Sequence, residues 1–147
     1  MPDWRWTNFP VPEAHLILGA AGVGLGLLWP FQLGWEGPWP LYLGLALAVL
    51  GVGLIIWATA SAGTVVLADP NELVTTGPYA TSRHPMYVGW TLAYLALICI
   101  LDSAWLLILF PVLALRINSE SAREEQRMVE KFGSRYIEYQ ARVRRYL

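Results

Sequence analysis

Residues 87–117 read YVGWTLAYLALICIL, then DS, then AWLLILFPVLALRI. Two apolar runs, Tyr87–Leu101 and Ala104–Ile117, are separated only by Asp102 and Ser103, so this stretch predicts two helices folded back as a tight hairpin. Upstream lie two more apolar runs, from about His15 to Trp29 and from about Trp39 to Ala62. A helix needs about 20 residues to cross ~30 Å of hydrocarbon. The second run meets that length, and the first meets it only if Val11 to Glu13 join the helix. The two arms of the hairpin fall short and suit a locally thin or protein-shielded position. The pattern predicts an all-α integral membrane protein with about four transmembrane segments and a cytosolic helical C-terminal tail. One domain covers 1–147, with two N-terminal spans in 1–62 and a loop, the hairpin and the tail in 63–147.

Composition points the same way. Of 147 residues, 56% are hydrophobic and 14% charged, against about 25% charged in an ordinary soluble domain. A soluble protein with buried core helices is the alternative for the short runs, but its helices would need polar faces that are missing here. Eight tryptophans and seven tyrosines suit a chain with two membrane–water interfaces. With a net charge of −1, nothing suggests nucleic acid, which demands a clustered basic surface. Cys99 is the single cysteine, so no intrachain disulfide forms. With only His15 and His84 beside it, a dedicated metal site is not expected. The first run is preceded by Asp3, Asn8 and Glu13, lacks a basic flank and has no small-residue cleavage site, and so reads as a retained span and not a signal peptide.

The basic residues set the orientation. Of ten Lys and Arg residues, all but Arg5 lie at or beyond position 83. A cytoplasmic Ser61–Met86 loop puts both termini and every basic residue inside. The Phe31–Pro38 loop and the Asp102–Ser103 turn, free of Lys and Arg, then lie outside, as the positive-inside rule requires. Glycines dot the first two spans (Gly19, Gly22, Gly24 and Gly26; Gly44, Gly51 and Gly53). Gly22 and Gly26, one turn apart, let two backbones approach closely. Packing between the first two helices is the simpler reading; a homodimer through Gly22 and Gly26 is the other.

In the tail, Val129, Phe132, Tyr136, Tyr139, Val143 and Tyr146 share one helical face, with Gly133 interrupting the helix. That face fits either the bilayer surface or a lid folded over the cytoplasmic end of the bundle.

Chemistry concentrates in the loop before the hairpin, NELVTTGPYATSRHPMYVG from Asn71 to Gly89. Gly77-Pro78 marks a turn, and Pro85 suits the first turn of a helix. Arg83 and His84 therefore sit at a helix entrance, where free N–H groups and the positive dipole end attract an anion. Beyond the hairpin, Arg116, Glu120, Arg123, Glu124 and Glu125 continue the last helix. The two-residue turn brings Arg83–Tyr87 and Glu120–Glu125 together at one membrane surface. Taken singly, His84 is an ordinary interface histidine, Arg83 a headgroup anchor and the Glu pair a solvated helix face. Asp102 and Ser103 read as turn residues and Cys99 as packing.

Three motifs occur in order: LVTTGPY at 73–79, RHPMYVG at 83–89, and EE at 124–125 followed by FGSRYIEY at 132–139. Together they strongly resemble the isoprenylcysteine carboxyl methyltransferase family, which belongs with the phospholipid methyltransferases. The resemblance covers about half the chain, from Asn71 to Arg145. It implies a pocket for S-adenosylmethionine, with S-adenosylhomocysteine as product and no metal. By position, Asn71, Glu72, Leu73, Val74 and Tyr79 match the loop that lines the cofactor. His84, Pro85, Met86 and Tyr87 match the Arg-His-Pro-x-Tyr segment, and Glu124 the acidic residue facing the cofactor. Arg83, His84 and Glu124 form the implied catalytic group, with the start of the third helix and His84 suited to the cofactor's carboxylate. Eukaryotic members carry an arginine one turn before the acidic pair; here Glu120 stands there, between Arg116 and Arg123, as the implied substrate-contacting set. The acceptor implied is lipophilic: an isoprenoid-like carboxylate or thiol, or a lipid amine or hydroxyl. A non-catalytic membrane scaffold or small-molecule binder that keeps the fold is the alternative.

Overall fold

The computed structural model describes residues 12–67 and 69–147; Asp3, Arg5, Asn8 and Val11, used above, lie outside them. The described residues form five α-helices: α1 (Glu13–Leu28), α2 (Trp39–Ala62), α3 (Pro85–Leu101), α4 (Ala104–Phe132) and α5 (Ser134–Arg142). Two isolated backbone bridges take the place of any sheet among them. Two helices, α2 and α4, are long and apolar enough to cross a membrane, while α1 and α3 are shorter apolar helices.

Prolines and polar caps punctuate the chain where the sequence requires. Pro12 precedes α1, Pro38 and Pro40 open α2, and Pro85 is the first residue of α3, where a missing N–H costs nothing. At the hairpin, Asp102 takes a left-handed conformation with φ 48°, tolerated by a short polar side chain. Ser103 then caps α4 by accepting from the Leu106 N–H at 3.4 Å. The Phe31–Pro38 loop is tied to this turn. Leu33 N donates to Asp102 O at 3.1 Å and Ala104 N to Phe31 O at 3.0 Å, and Trp105 Nε1 to Trp29 O at 2.8 Å. The two connections without Lys or Arg thus share one end of the bundle, opposite the loop from Gly63 to His84.

The glycine seams differ from the sequence reading. Instead of packing against each other, α2 packs on α3 and α1 on α4. A Cβ on Gly51 would lie 2.7 Å from Gly89 O, and one on Gly89 2.9 Å from Gly51 O. Further along, a Cβ on Gly44 would lie 3.0 Å from Ala96 O. The reason is shape matching: Gly89 on α3 offers a backbone as bare as Gly51, so these two helices approach more closely than α1 and α2 can. On the other side, Gly22 forms the notch that receives Leu106 of α4, which is fully buried. The Gly22 face proposed for a dimer is therefore filled within the chain. Leu106 sits in a core with Tyr94, Ile98, Leu113 and Ile117, and the Tyr94 hydroxyl donates to its carbonyl at 3.0 Å.

Outside these seams the helices are covered in bare apolar side chains. Ile17, Leu28, Val49, Leu50 and Leu115 each expose more than 60% of their surface, an arrangement water does not favour over a contiguous area.

Gly89→Val forces a branched side chain against the Gly51 backbone, and overpacking of this kind costs about 1–3 kcal/mol. Gly53 has open space within 4 Å of the point where a Cβ would stand, and as alanine it gains up to about 1 kcal/mol of helix propensity. Thermal unfolding in detergent is expected to place Gly89→Val below the parent and Gly53→Ala at or above it.

Candidate active site

At the loop end of the bundle, the chain from Asp69 to His84 folds over the mouth between α2, α3 and α4. Gly77 makes this possible: its φ is +59°, and a side chain there would run into Ser61 of α2. Only glycine meets both demands. The following turn, Gly77–Ala80, buries Tyr79 against Ile55, Ala58 and Met86. The tail then closes over it. Gly133, at φ +56°, lets α5 turn back from α4, and the Tyr139 hydroxyl donates to Tyr79 O at 2.6 Å. Of the two placements open for the tail, the structure has the lid. Tyr136 and Tyr139 form its buried inner face, and burial raises both phenols, Tyr136 to about 12.

The last residues of the chain form a strap across the start of α3. Arg83 N donates to Arg144 O at 2.9 Å and His84 N to Arg145 O at 3.2 Å. The His84 N–H also lies 3.2 Å from Ser82 Oγ. The N–H groups of Arg83 and His84, expected to be open to an anion, are thus used within the chain.

Beneath the strap, Glu125 is 5% exposed and anchors a charged cluster. Arg83 reaches its Oε1 through Nε at 3.0 Å, and Arg145 donates from Nη2 to Oε2 at 2.8 Å. Gln140 Nε2 adds a bond at 3.3 Å. Arg83 also sends Nη1 to the carbonyls of Gln140 at 3.0 Å and Val143 at 2.8 Å, satisfying the last turn of α5. Arg83 is therefore a structural strut, neither a headgroup anchor nor an open cation. Burial works to raise the Glu125 carboxyl, but hydrogen bonds from Arg145 and the charge of Arg83 outweigh it and hold it below its usual range.

Glu124, the adjacent residue, points elsewhere, since neighbours on a helix are about 100° apart. Its Oε1 accepts from the Tyr87 hydroxyl at 2.7 Å, and its Oε2 lies 3.4 Å from His84 Nδ1. The other ring nitrogen, Nε2, is 3.2 Å from Glu125 Oε1, so His84 bridges the two carboxylates. Burial pushes the Glu124 carboxyl up, yet the hydrogen bonds from His84 and Tyr87 prevail and keep it ionised below its ordinary value.

Glu124 faces a cavity of about 560 Å³, within the roughly 300–1,000 Å³ of small-molecule sites. Its walls include Leu73, Val74, Tyr79 and Arg83–Tyr87 from the sequence-derived set, joined by Arg127, Met128 and Lys131 of α4 and Tyr136 and Tyr139 of α5. Asn71 and Glu72 are exposed and off this wall, as are Arg116 and Arg123; Glu120 is half-buried nearby. Sequence reasoning missed Arg127 and Lys131, although both follow Glu124 at steps of three and seven on the same helical face. Lys131 pairs with Asp69 across the mouth.

A second hollow, an apolar groove of about 340 Å³, runs between α3 and α4 past Val88, Leu92, Leu95, Phe110 and Ala114. Tyr87 belongs to the walls of both hollows. Among the described residues, no group of His, Cys, Asp and Glu could hold a metal ion.

A family model described as phospholipid methyltransferase matches residues 39–135, from the start of α2 into α5. Among curated proteins, the chain is similar to protein-S-isoprenylcysteine O-methyltransferases. It is 34% identical over 77 residues to that of Xenopus laevis, 32% to that of Homo sapiens and 31% to that of Mus musculus. Each match takes in 52% of this chain and 27% of the relative, so it spans about a quarter of the relatives' length. No solved structure matches the chain to a comparable standard.

The two glutamates are expected to separate cleanly. Glu125→Gln leaves two arginines without their buried counter-charge, a loss of about 3 kcal/mol, seen as a lowered melting temperature. Glu124→Gln leaves melting nearly unchanged. Because the folded Glu125 carboxyl lies below its usual range, its stabilisation is full above the ordinary glutamate value of about 4.3. It fades as pH falls through the folded-state value. The melting temperature of the parent is expected to drop on acidification below that point, and that of Glu125→Gln to drop less.

Proposed function

The chain belongs to the phospholipid methyltransferase family, and from that premise we propose that it transfers a methyl group from S-adenosylmethionine to a lipophilic acceptor at the cytoplasmic face of a membrane. The observation that carries this reading is Tyr87, whose side chain borders the cavity holding Glu124 on one side and an apolar groove on the other. A charged cofactor and a lipid-soluble acceptor have to meet, and a shared wall is where their reacting ends can do so.

The cavity suits the cofactor in chemistry as well as size. Glu124 offers a carboxylate to its ammonium or ribose hydroxyls. The rings of Tyr79, Tyr87, Tyr136 and Tyr139 offer faces for adenine and for a sulfonium cation. When bound, S-adenosylmethionine supplies a methyl group that passes by in-line displacement to the acceptor, leaving S-adenosylhomocysteine. What the protein contributes is position and exclusion of water. The Tyr87 hydroxyl is fixed by Glu124, His84 is fixed between two carboxylates, and the tail roofs the cavity. Ordering of this kind can supply much of a displacement rate.

The proposed setting is a bilayer crossed four times, with the cavity and both termini on the cytoplasmic side. The 24 residues of α2 span ~36 Å, ample for ~30 Å of hydrocarbon. The 16 residues of α1 and 17 of α3 give roughly 24–26 Å, which thinning of the bilayer accommodates at modest cost. The exposed leucines, isoleucines and valines of α1, α2 and α4 face the lipid. The described Lys and Arg residues gather at the cavity end. Acceptors enter by the α3–α4 groove, whose side chains carry no charge. A non-catalytic binder with the same fold is the second reading, favoured by one residue, Glu120, standing where the eukaryotic relatives of the resemblance have an arginine.

Calorimetry on the detergent-solubilised protein is expected to detect S-adenosylmethionine binding, weakened about 10–100-fold in Glu124→Ala, in keeping with loss of a charged hydrogen-bond partner. No heat at millimolar cofactor overturns the proposal. Incubation with lipid extracts and methyl-labelled cofactor is expected to yield a labelled lipid, and binding without any transfer supports the non-catalytic reading. Ala114→Trp, which fills the groove, is expected to lower transfer about 100-fold while cofactor binding stays at the parent level.

A further inference from the structure

An α-amino acid carries an ammonium and a carboxylate on one carbon, so a site for the methionine end of the cofactor needs an anion and a cation side by side. The anion is Glu124. The cation is not where the sequence suggests, because the Arg83 guanidinium, the His84 ring and the backbone N–H groups of both already have partners. The Arg83 guanidinium is bound to Glu125 and to the carbonyls of Gln140 and Val143. The Arg83 and His84 backbone N–H groups donate to Arg144 O and Arg145 O, and the His84 ring lies between two carboxylates. Lys131 is paired with Asp69.

Arg127 is different. It lies on the cavity wall with its side chain exposed, and among the described residues it makes no hydrogen bond or ion pair. It stands three residues after Glu124, on the same face of α4, where side chains so spaced are neighbours. Its charge is near enough to act on both Glu124 and Tyr87. Resting on the cofactor reading above, we infer that Arg127 holds the carboxylate of S-adenosylmethionine while Glu124 takes its ammonium, so that one turn of α4 recognises the zwitterion. Arg83 and His84 then serve to lock the tail, and α4 sets the register of the methionine end. A cofactor lacking the carboxylate loses one of its two anchors and keeps the other.

The test compares S-adenosylmethionine with its decarboxylated form by calorimetry on the full chain in detergent. The parent is expected to prefer the intact cofactor by about 10–100-fold, the difference one charged hydrogen-bonding partner makes. Arg127→Gln is expected to bind both forms with the affinity the parent shows for the decarboxylated one, at an unchanged melting temperature. If Arg127→Gln keeps the preference, or Lys131→Gln removes it instead, the assignment to Arg127 is overturned and the cofactor reading stands. If the parent binds neither form, both fall together.

Discussion

Everything at the cavity end depends on one buried carboxylate. The segment before α3, the extension of α4, α5 and the final strap come from separate parts of the chain. They converge on Glu125 through Arg83, His84, Gln140 and Arg145. Burying a carboxylate is costly unless opposite charge and hydrogen bonds surround it. Here both oxygens are engaged by groups from different parts of the chain, so those parts are held in one arrangement. Arg83 extends the constraint by capping the carbonyls of α5, and the strap extends it by pairing its backbone with residues 82–84. The lid over Tyr79 is held both by this cluster and by the buried Tyr136 and Tyr139.

The neighbouring carboxylate does the opposite work with the same chemistry. A step of about 100° along α4 turns Glu124 from the cluster to the cavity, with its side chain 36% exposed against 7% for Glu125. His84 touches both, so the cavity carboxylate is positioned by the group that the buried one fixes. A rigid cluster behind a partly open acid is how a site keeps its geometry while leaving an anion free for a ligand.

The helices themselves were plain in the sequence, because apolar length, Pro85 and the Asp102–Ser103 break are local signals. The meeting of Arg83–Tyr87 with Glu124–Glu125 was legible too, since a two-residue turn leaves little freedom at the open end of a hairpin. Helix pairing was not. Gly22 and Gly26 announce a notch but not what fills it, and Leu106 is one leucine among many. Gly89, the partner of Gly51, looked like the end of a motif when it was equally a packing position. Arg83 and Glu125 depart from expectation together for a related reason: whether a charged residue is a strut, a ligand or a solvated group depends on partners 20–60 positions away. The i+3 spacing of Arg127 from Glu124 was visible, but it had no meaning until the other cations were seen to be occupied.

The two hollows follow from how tightly each pair of helices can close. Where Gly51 meets Gly89, backbones touch and no space remains between α2 and α3. No glycine occurs in α4; α3 meets it through Tyr94, which touches Leu106 and Phe110, while Leu92, Leu95 and Ala114 line the space left between them. The short turn joins these helices at one end, so the bulk of their facing side chains leaves a lengthwise apolar groove. On the proposed reading, that imperfect packing is the acceptor's route. On that reading, the facing side chains that hold α3 and α4 apart also open a way for a lipid, and the tight α2–α3 seam beside it supplies the rigidity the hairpin lacks.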